Sequence, residues 1–224
     1  MNIPVFVLMV CLIGVHADVQ PQRDFNLQRF AGRWYRVGLA YDSPSFLPHK
    51  EKLRVTAGVI APQPNGSVNL TMWAMRPSGC VCALYQYERT NTPGHYNYFS
   101  TRHNRTKDIT VVETNYTEYA LVLKNKRFDR EYTQVALYGR TQKLRHEIIQ
   151  KFRTFSTARG FPRDSIITPH VSENCPPSAP GNGHGRQVTA RGSPEDTLSG
   201  RNQRHVKTPL YGLHRKASKH AFVH

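Results

Sequence analysis

The chain has 224 residues, room for one domain of ordinary size with extra chain, or at most two small domains. Hydrophobic residues make up 38% and mean hydropathy is -0.56, too little apolar material for the whole length to pack. Lys and Arg number 31 against 15 acids, a formal charge of +16 that attracts polyanions and opposes self-association without deciding the fold. No apolar run reaches the roughly twenty residues of a spanning helix, so no transmembrane segment is expected. With 4 cysteines and no CxxC pair, neither a disulfide-framework miniprotein nor a zinc site fits, and no metal or cofactor is expected.

The first segment, residues 1–17, reads MNIPVFVLMVCLIGVHA. Its apolar stretch of about thirteen residues suits a secretory signal, and Val15-His16-Ala17 ends it with a small residue where a signal peptidase would cut. Cleavage after Ala17 removes Cys11 and leaves Cys80, Cys82 and Cys175, an odd number for an oxidising compartment. Export makes four sequons meaningful: Asn65-Gly-Ser67, Asn69-Leu-Thr71, Asn104-Arg-Thr106 and Asn115-Tyr-Thr117. A secreted, extracellular glycoprotein is therefore expected.

Runs rich in β-branched and aromatic residues follow at 33–40, 52–61, 68–75, 80–87, 96–101, 107–113, 119–123 and 131–138. Turn chemistry separates several of them: Pro64-Asn65-Gly66, Pro77-Ser78-Gly79 and Thr92-Pro93-Gly94. Eight short strands at such spacing predict an all-β, antiparallel domain, either a sandwich or a closed barrel. Closure would remove exposed edges. In the third run Val68, Leu70, Met72 and Ala74 alternate with Asn69, Thr71 and Trp73, which turns the Asn69 sequon outward.

Then the period changes. Leu144, Ile148, Phe152 and Phe155 recur at helical spacing after Thr141, a candidate N-cap, and Gly160 stops the run. An amphipathic helix with one apolar stripe needs a surface to lie on, and the outside of the strand layer is the obvious one. After Cys175 the chain, residues 176–224, loses periodicity and nearly all aromatics while carrying 8 Lys/Arg against 2 acids. That composition predicts a disordered basic tail, either a solvated appendage or a binder of acidic glycans or lipid headgroups. Nucleic acid is a poor partner for an exported chain.

At this point the residues resemble a family. Phe30-Ala31-Gly32-Arg33-Trp34-Tyr35 resembles the lipocalin G-x-W motif, Thr114-Asn115-Tyr116 the second motif, and Leu137-Tyr138-Gly139-Arg140-Thr141 the third. The ordered set, with a signal before it and a helix after it, covers roughly residues 25–175. The resemblance implies an eight-stranded up-and-down barrel over 18–175, with one C-terminal α-helix packed outside and a small lipophilic ligand within. It also implies a Cys80–Cys175 disulfide, with Gly32, Trp34, Thr114, Tyr116 and Arg140 serving structure. Trp34 and Arg140 would stack under the closed end, a contact worth about 0.5–2 kcal/mol.

Within the family, 111–122 and 135–141 look most like the branch holding lipocalin-type prostaglandin D synthase and the siderophore-binding neutrophil lipocalin. The synthase needs a cavity thiolate to attack an endoperoxide oxygen. By resemblance that position is Thr56, and its hydroxyl partners fall on Arg36, Gly58 and Met72, so none is kept. The siderophore binder's cationic trio falls on Tyr85, Asn125 and Gln134, which implies that this chemistry is missing too. If Cys80 pairs outward, Cys82, two residues on, also faces outward. A monomer with a capped or half-buried thiol is expected, the alternatives being a disulfide-linked dimer through Cys82 or exchange of Cys175 between Cys80 and Cys82.

Alternation and resemblance together give an inward, ligand-binding set of Arg36, Thr56, Met72, Tyr85, Tyr96, Tyr98, Arg102, Leu123, Gln134 and Tyr138. Periodicity alone would turn Leu53, Val55, Ala57 and Val59 inward instead of Thr56, and the resemblance is followed. Two arginines in a tyrosine-rich cup suit an apolar ligand with one acidic group: a fatty acid, a prostanoid or a retinoid acid. Burying about ten methylenes is worth roughly 8 kcal/mol. Immobilisation costs at least about 4 kcal/mol and an arginine–carboxylate bond adds about 1.5–3. The balance corresponds to a Kd around 10 μM. The expected function is transport, and an isomerase is the alternative that Thr56 disfavours.

Overall fold

The computed structural model describes residues 19–43, 46–76, 79–100, 105–127, 131–171, 175 and, as backbone, 187–189. The expected signal segment, Arg102, the Asn104 sequon and most of the basic tail lie outside the described residues.

Between sandwich and barrel, the chain forms the barrel. Its eight strands are β1 (Gly32–Tyr41), β2 (Thr56–Pro62), β3 (Val68–Arg76), β4 (Gly79–Arg89), β5 (His95–Ser100), β6 (Arg105–Thr114), β7 (Tyr119–Arg127) and β8 (Glu131–Gly139). Each pairs antiparallel with the next, and β8 returns to β1 through Arg36↔Tyr138 and Tyr41↔Gln134. The narrowest seam is β4–β5, where only Glu88↔Asn97 and Arg89↔Tyr96 are in register. Two short strands take the edges that this geometry leaves. β9 (Ile166–Ile167) pairs with Leu39 and Ala40 on β1, and β10 (Gln187–Thr189) runs parallel to β4 over Cys82 to Leu84. The second predicted run starts late because Leu47–Lys52, led by Leu47-Pro48, winds into a 3-10 turn before β2 begins.

Alternation along the strands sorts the apolar residues into two clusters. One lies inside the barrel and includes Trp34, Leu70, Met72, Tyr85, Tyr98, Ile109, Val122 and Tyr138. The other lies outside and includes Val37, Leu121, Leu123, Val135 and Leu137 against Ile148 and Phe152 of α2 (His146–Ala158). Phe152 is fully buried there. The predicted helix is thus present and packed outside, but Thr141 does not cap it. Arg145 holds the N-cap position, and the Thr141 hydroxyl instead donates to the Lys143 carbonyl at 2.7 Å. Gly160 follows the helix with φ +80, a left-handed conformation in which glycine carries no Cβ penalty.

One end of the barrel is shut by α1 (Leu27–Phe30) and the three motif segments. The Trp34 indole N–H donates to Phe30 O at 2.8 Å, and the Arg140 guanidinium carbon lies 3.8 Å from the indole centroid. Arg140 also donates to the carbonyls of Tyr116, Arg33 and Arg29, tying α1, β1 and the β6–β7 turn together. Gly32 starts β1 at φ +93, where a Cβ would come 3.4 Å from that guanidinium. In the turn, Thr114 Oγ1 donates to Tyr119 O and accepts from Tyr116 N, while Asn115 Oδ1 accepts from the backbone of Glu118 and Tyr119. Cys80 and Cys175 are joined as a disulfide, which fixes residue 175 to β4.

Candidate functional site

The interior is divided into two compartments. Nearer the closed end is an apolar one, bounded by Phe30, Trp34, Ile60, Leu70, Tyr96 and Val122 among others. Toward the other end, where β1 leads to β2, β3 to β4, β5 to β6 and β7 to β8, lies a cationic one. Its walls include Arg36 from β1, Thr56 from β2, Lys107 from β6, and Lys124 and Lys126 from β7. Tyr87 and Lys124 line both and so mark the boundary. No Asp or Glu lines either compartment among the described residues.

Tyrosines mediate between the apolar walls and the charges. Lys124 Nζ donates to the Tyr138 hydroxyl at 2.9 Å. Lys126 Nζ, only 1% exposed as a residue, sits 4.2 Å from the Tyr41 ring centroid. Lys107 Nζ lies 5.1 Å from the Tyr98 centroid and 5.8 Å from that of Tyr85. Cation–π contact of this kind partly replaces the water an ammonium loses on burial. Tyr85, Tyr87 and Tyr98 contact one another with centroids 5.9–6.2 Å apart. In the apolar compartment burial pushes the Tyr96 phenol up to about 12, against the opposing charge of Arg89, so it stays neutral. The Thr56 hydroxyl oxygen is buried without a hydrogen-bond partner. A ligand atom could satisfy it at no desolvation cost to the protein.

Of the expected inward set, Arg36, Thr56, Met72, Tyr85, Tyr96, Tyr98, Gln134 and Tyr138 all lie in the interior. The resemblance therefore chose the right register for β2, since Val55 belongs to the outer cluster while Thr56, Gly58 and Ile60 line the cup. Leu123 requires a correction. It packs in the outer cluster with Leu121 and Val135, so it presents no atom to the cup. The inward residues of β7 are Ala120, Val122, Lys124 and Lys126.

The three positions of the siderophore binder's trio carry no charge here, as expected, but the inward set omitted cations that the chamber does hold. Tyr85 and Gln134 are inward and uncharged, and Asn125 accepts from the Thr133 hydroxyl on the other face, but Lys107, Lys124 and Lys126 supply the charge from neighbouring positions. The sign of the error is physical. Because α2 covers β7 from outside, both faces of Tyr119–Leu123 are apolar and buried, and alternation there carries no information. The overlooked signal was further along: Lys124 and Lys126 share parity with Ala120 and Val122.

The remaining thiol is elsewhere. Cys82 shares a strand face with the bonded Cys80, opposite to the inward Tyr85 and Tyr87, and burial pushes its thiol up. Asn65 and Asn115 are exposed and Asn69 is half-buried, on the outward parity of β3.

Comparison with known proteins follows the same lines. The family model for the lipocalin / cytosolic fatty-acid binding protein family matches residues 31–173. A Felis catus protein named prostaglandin-H2 D-isomerase is 36% identical over 171 residues, 75% of this chain and 90% of that protein. A Mus musculus protein of the same name is 36% identical over 162 residues, covering 71% and 85%. A Rhinella marina protein named lipocalin is 32% identical over 162 residues, covering 72% and 88%. Among solved structures, lipocalin 12 from rat epididymis superposes with a TM-score of 0.62 at 24% identity, over 67% of this chain and 88% of that one. With a closed eight-stranded barrel, an interior divided into apolar and cationic parts, and these matches, the chain belongs to the lipocalin / cytosolic fatty-acid binding protein family.

Proposed function

We propose that the protein is an exported carrier of amphipathic lipids with an anionic head, such as a fatty acid, a prostanoid or a retinoid acid. The observation that carries this reading is the order of the two compartments. An apolar floor lies beneath a cationic upper chamber, and among the described residues Tyr87 and Lys124 are common to both. A hydrocarbon body enters first and the head stops among Arg36, Lys107, Lys124 and Lys126. Burial of the hydrocarbon supplies most of the affinity, and each charge-assisted hydrogen bond to the head adds about 1.5–3 kcal/mol.

Displacement of a fluorescent fatty acid from protein secreted by eukaryotic cells tests the reading. Hexadecanoate should compete well, hexadecanol markedly less, and a short acid not at all. Equal competition by the alcohol would remove the role of the lysines. The cation-rich chamber also suits heads of higher charge, so a monoalkyl phosphate and a ferric catecholate complex belong in the panel. Intact mass of the same sample reports signal removal and glycans together.

Isomerisation of the prostaglandin endoperoxide is the second reading, favoured by the names of the 36% identical relatives. Against it stand Thr56 in the cup where a thiol is expected and Cys82 on the outer wall. A threonine hydroxyl with no base hydrogen-bonded to it is a poor nucleophile at neutral pH. Incubation with the endoperoxide and glutathione decides the matter, since thiol-dependent D-type product would displace the carrier reading.

A further inference from the structure

We propose that Lys124 is a covalent capture site for long-chain aldehydes, its Nζ forming an imine with the carbonyl carbon of a ligand whose hydrocarbon body fills the apolar compartment. The inference rests on the carrier reading and extends it from anions to a neutral, electrophilic head. Three observations place the reaction at this amine.

The first is position. Among the described residues Lys124 is the lysine that lines both compartments, bordering the apolar one through its aliphatic stem and so carrying its amine at the boundary. Lys107 and Lys126 face tyrosine rings in the upper chamber only. A ligand at rest tail-down, with its hydrocarbon in the apolar compartment, therefore ends at the boundary beside Lys124, below the other two lysines.

The second is the partner. Lys124 is buried as a residue, and its ammonium is hydrogen-bonded to a neutral hydroxyl, that of Tyr138. Among the described residues no carboxylate pairs with it. Surface cations of this chain are treated differently: Lys151 bonds Glu113, and Arg145 bonds Glu118 at 2.7 Å. An amine whose partner is a neutral hydroxyl has no carboxylate to leave before it meets a carbonyl carbon, whereas an ion-paired one does.

The third is the proton path. Nζ adds to the carbonyl carbon, so a C–N bond forms, and the carbonyl oxygen leaves as water carrying the two protons that nitrogen gives up. Nothing is oxidised or reduced. The Tyr138 hydroxyl, 2.9 Å from Nζ, stands where a proton leaving nitrogen can pass to the departing oxygen. Water reverses the step, so the aldehyde is held and later released.

The test uses the full-length secreted protein with hexadecanal and cyanoborohydride, which reduces imines to stable amines. Peptide mapping should find one dominant adduct, with the mass of the aldehyde less one oxygen atom, on Lys124. Proximity to a bound carbonyl should favour it over any surface lysine by about tenfold or more. Excess hexadecanoate should suppress it, propanal should label surface lysines without preference, and K124R should lose the dominant adduct. Label spread over surface lysines, or centred on Lys107 or Lys126, overturns the proposal in the unaltered protein, whatever K124R does to folding. Displacement of the fluorescent fatty acid is run in parallel. Acid binding without the Lys124 adduct sinks the imine and spares the carrier reading, while failure of both ligands sinks both.

Discussion

Arg140 lies against Trp34 with its guanidinium carbon 3.8 Å from the indole centroid, and its three nitrogens each donate to a different backbone carbonyl. The stack needs a flat cation, and the carbonyls need a fork. R140A should lower the free energy of unfolding by about 2–3 kcal/mol, from the lost cation–π contact and the unmade hydrogen bonds. R140K should lose most of the same amount, because an ammonium keeps the charge but cannot reach all three acceptors from one plane. Urea denaturation followed by tryptophan fluorescence measures both, and a lysine variant as stable as the parent would refute the fork.

Lys126 and Leu123 lie three positions apart on β7 and face opposite sides of the wall. K126M should raise the Kd for hexadecanoate about tenfold through loss of a charge-assisted contact. L123A should cost about 2–4 kcal/mol of stability, from the void it leaves under α2, and shift that Kd less than about twofold. Isothermal titration and thermal unfolding of both variants separate the two faces. A large affinity loss in L123A would return Leu123 to the cup.

Glu113 ties the helix to the barrel. Its carboxylate accepts from Lys151 of α2 and from the Tyr119 hydroxyl. Burial works to raise the Glu113 carboxyl, but the hydrogen bonds from Lys151 and Tyr119 and the lysine charge outweigh it and hold it below its usual range. The hydrogen bond to Glu113 in turn raises Lys151. The contribution of Glu113 is therefore present above the ordinary carboxylate range and lost as pH falls through its lowered value. That of Lys151 is complete below the ordinary lysine range and lost as pH rises through its raised value. Both groups are half exposed, so screening keeps the loss in E113Q under about 1 kcal/mol at neutral pH. The Tm difference between E113Q and the parent should shrink toward zero as pH falls through the lowered Glu113 value, and a difference unchanged from neutral pH to the acid limit of folding would contradict the ion pair.

Asn115 combines a turn with a sequon. Its Oδ1 accepts from the backbone N–H groups of Glu118 and Tyr119 at 2.9 and 3.0 Å, and a glycan would attach through the other side-chain atom, Nδ2. N115D should keep both acceptor bonds and remove one glycan, leaving the deglycosylated Tm nearly unchanged. N115Q removes the glycan and misplaces the acceptor, at a cost of about 1 kcal/mol. Intact mass and scanning calorimetry after enzymatic deglycosylation distinguish the two.

How far this architecture could be read from the chain varied with its chemistry. β3 was legible because one of its faces is wholly apolar and the other begins with polar residues: Val68, Leu70, Met72 and Ala74 lie on the buried side and Asn69, Thr71 and Trp73 on the other. The helix was legible because Ile148 and Phe152 repeat at its own period, although its cap was not, since Thr141 turns its hydroxyl to Lys143. β2 misled periodicity because Val55, Ala57 and Val59 are apolar on the face that turns away from the cup. β7 misled it because neighbours cover both sides. The bulges between Arg36 and Gly38 on β1 and between Val111 and Glu113 on β6 reset parity within a strand, and no residue type announces them.

The order of strands, the three motif segments at one end and the amphipathic helix were determined by local chemistry, because turns, alternation and helical period are encoded within a few residues of one another. The gathering of Arg36, Lys107, Lys124 and Lys126 around one chamber was decided only by closure of the barrel. Those four come from three strands, β1, β6 and β7, and a lysine in a strand has two faces to choose from. Which face is inside depends on what packs against the other, and that is settled by the partner strands and by α2, not by the lysine's own neighbours in the chain.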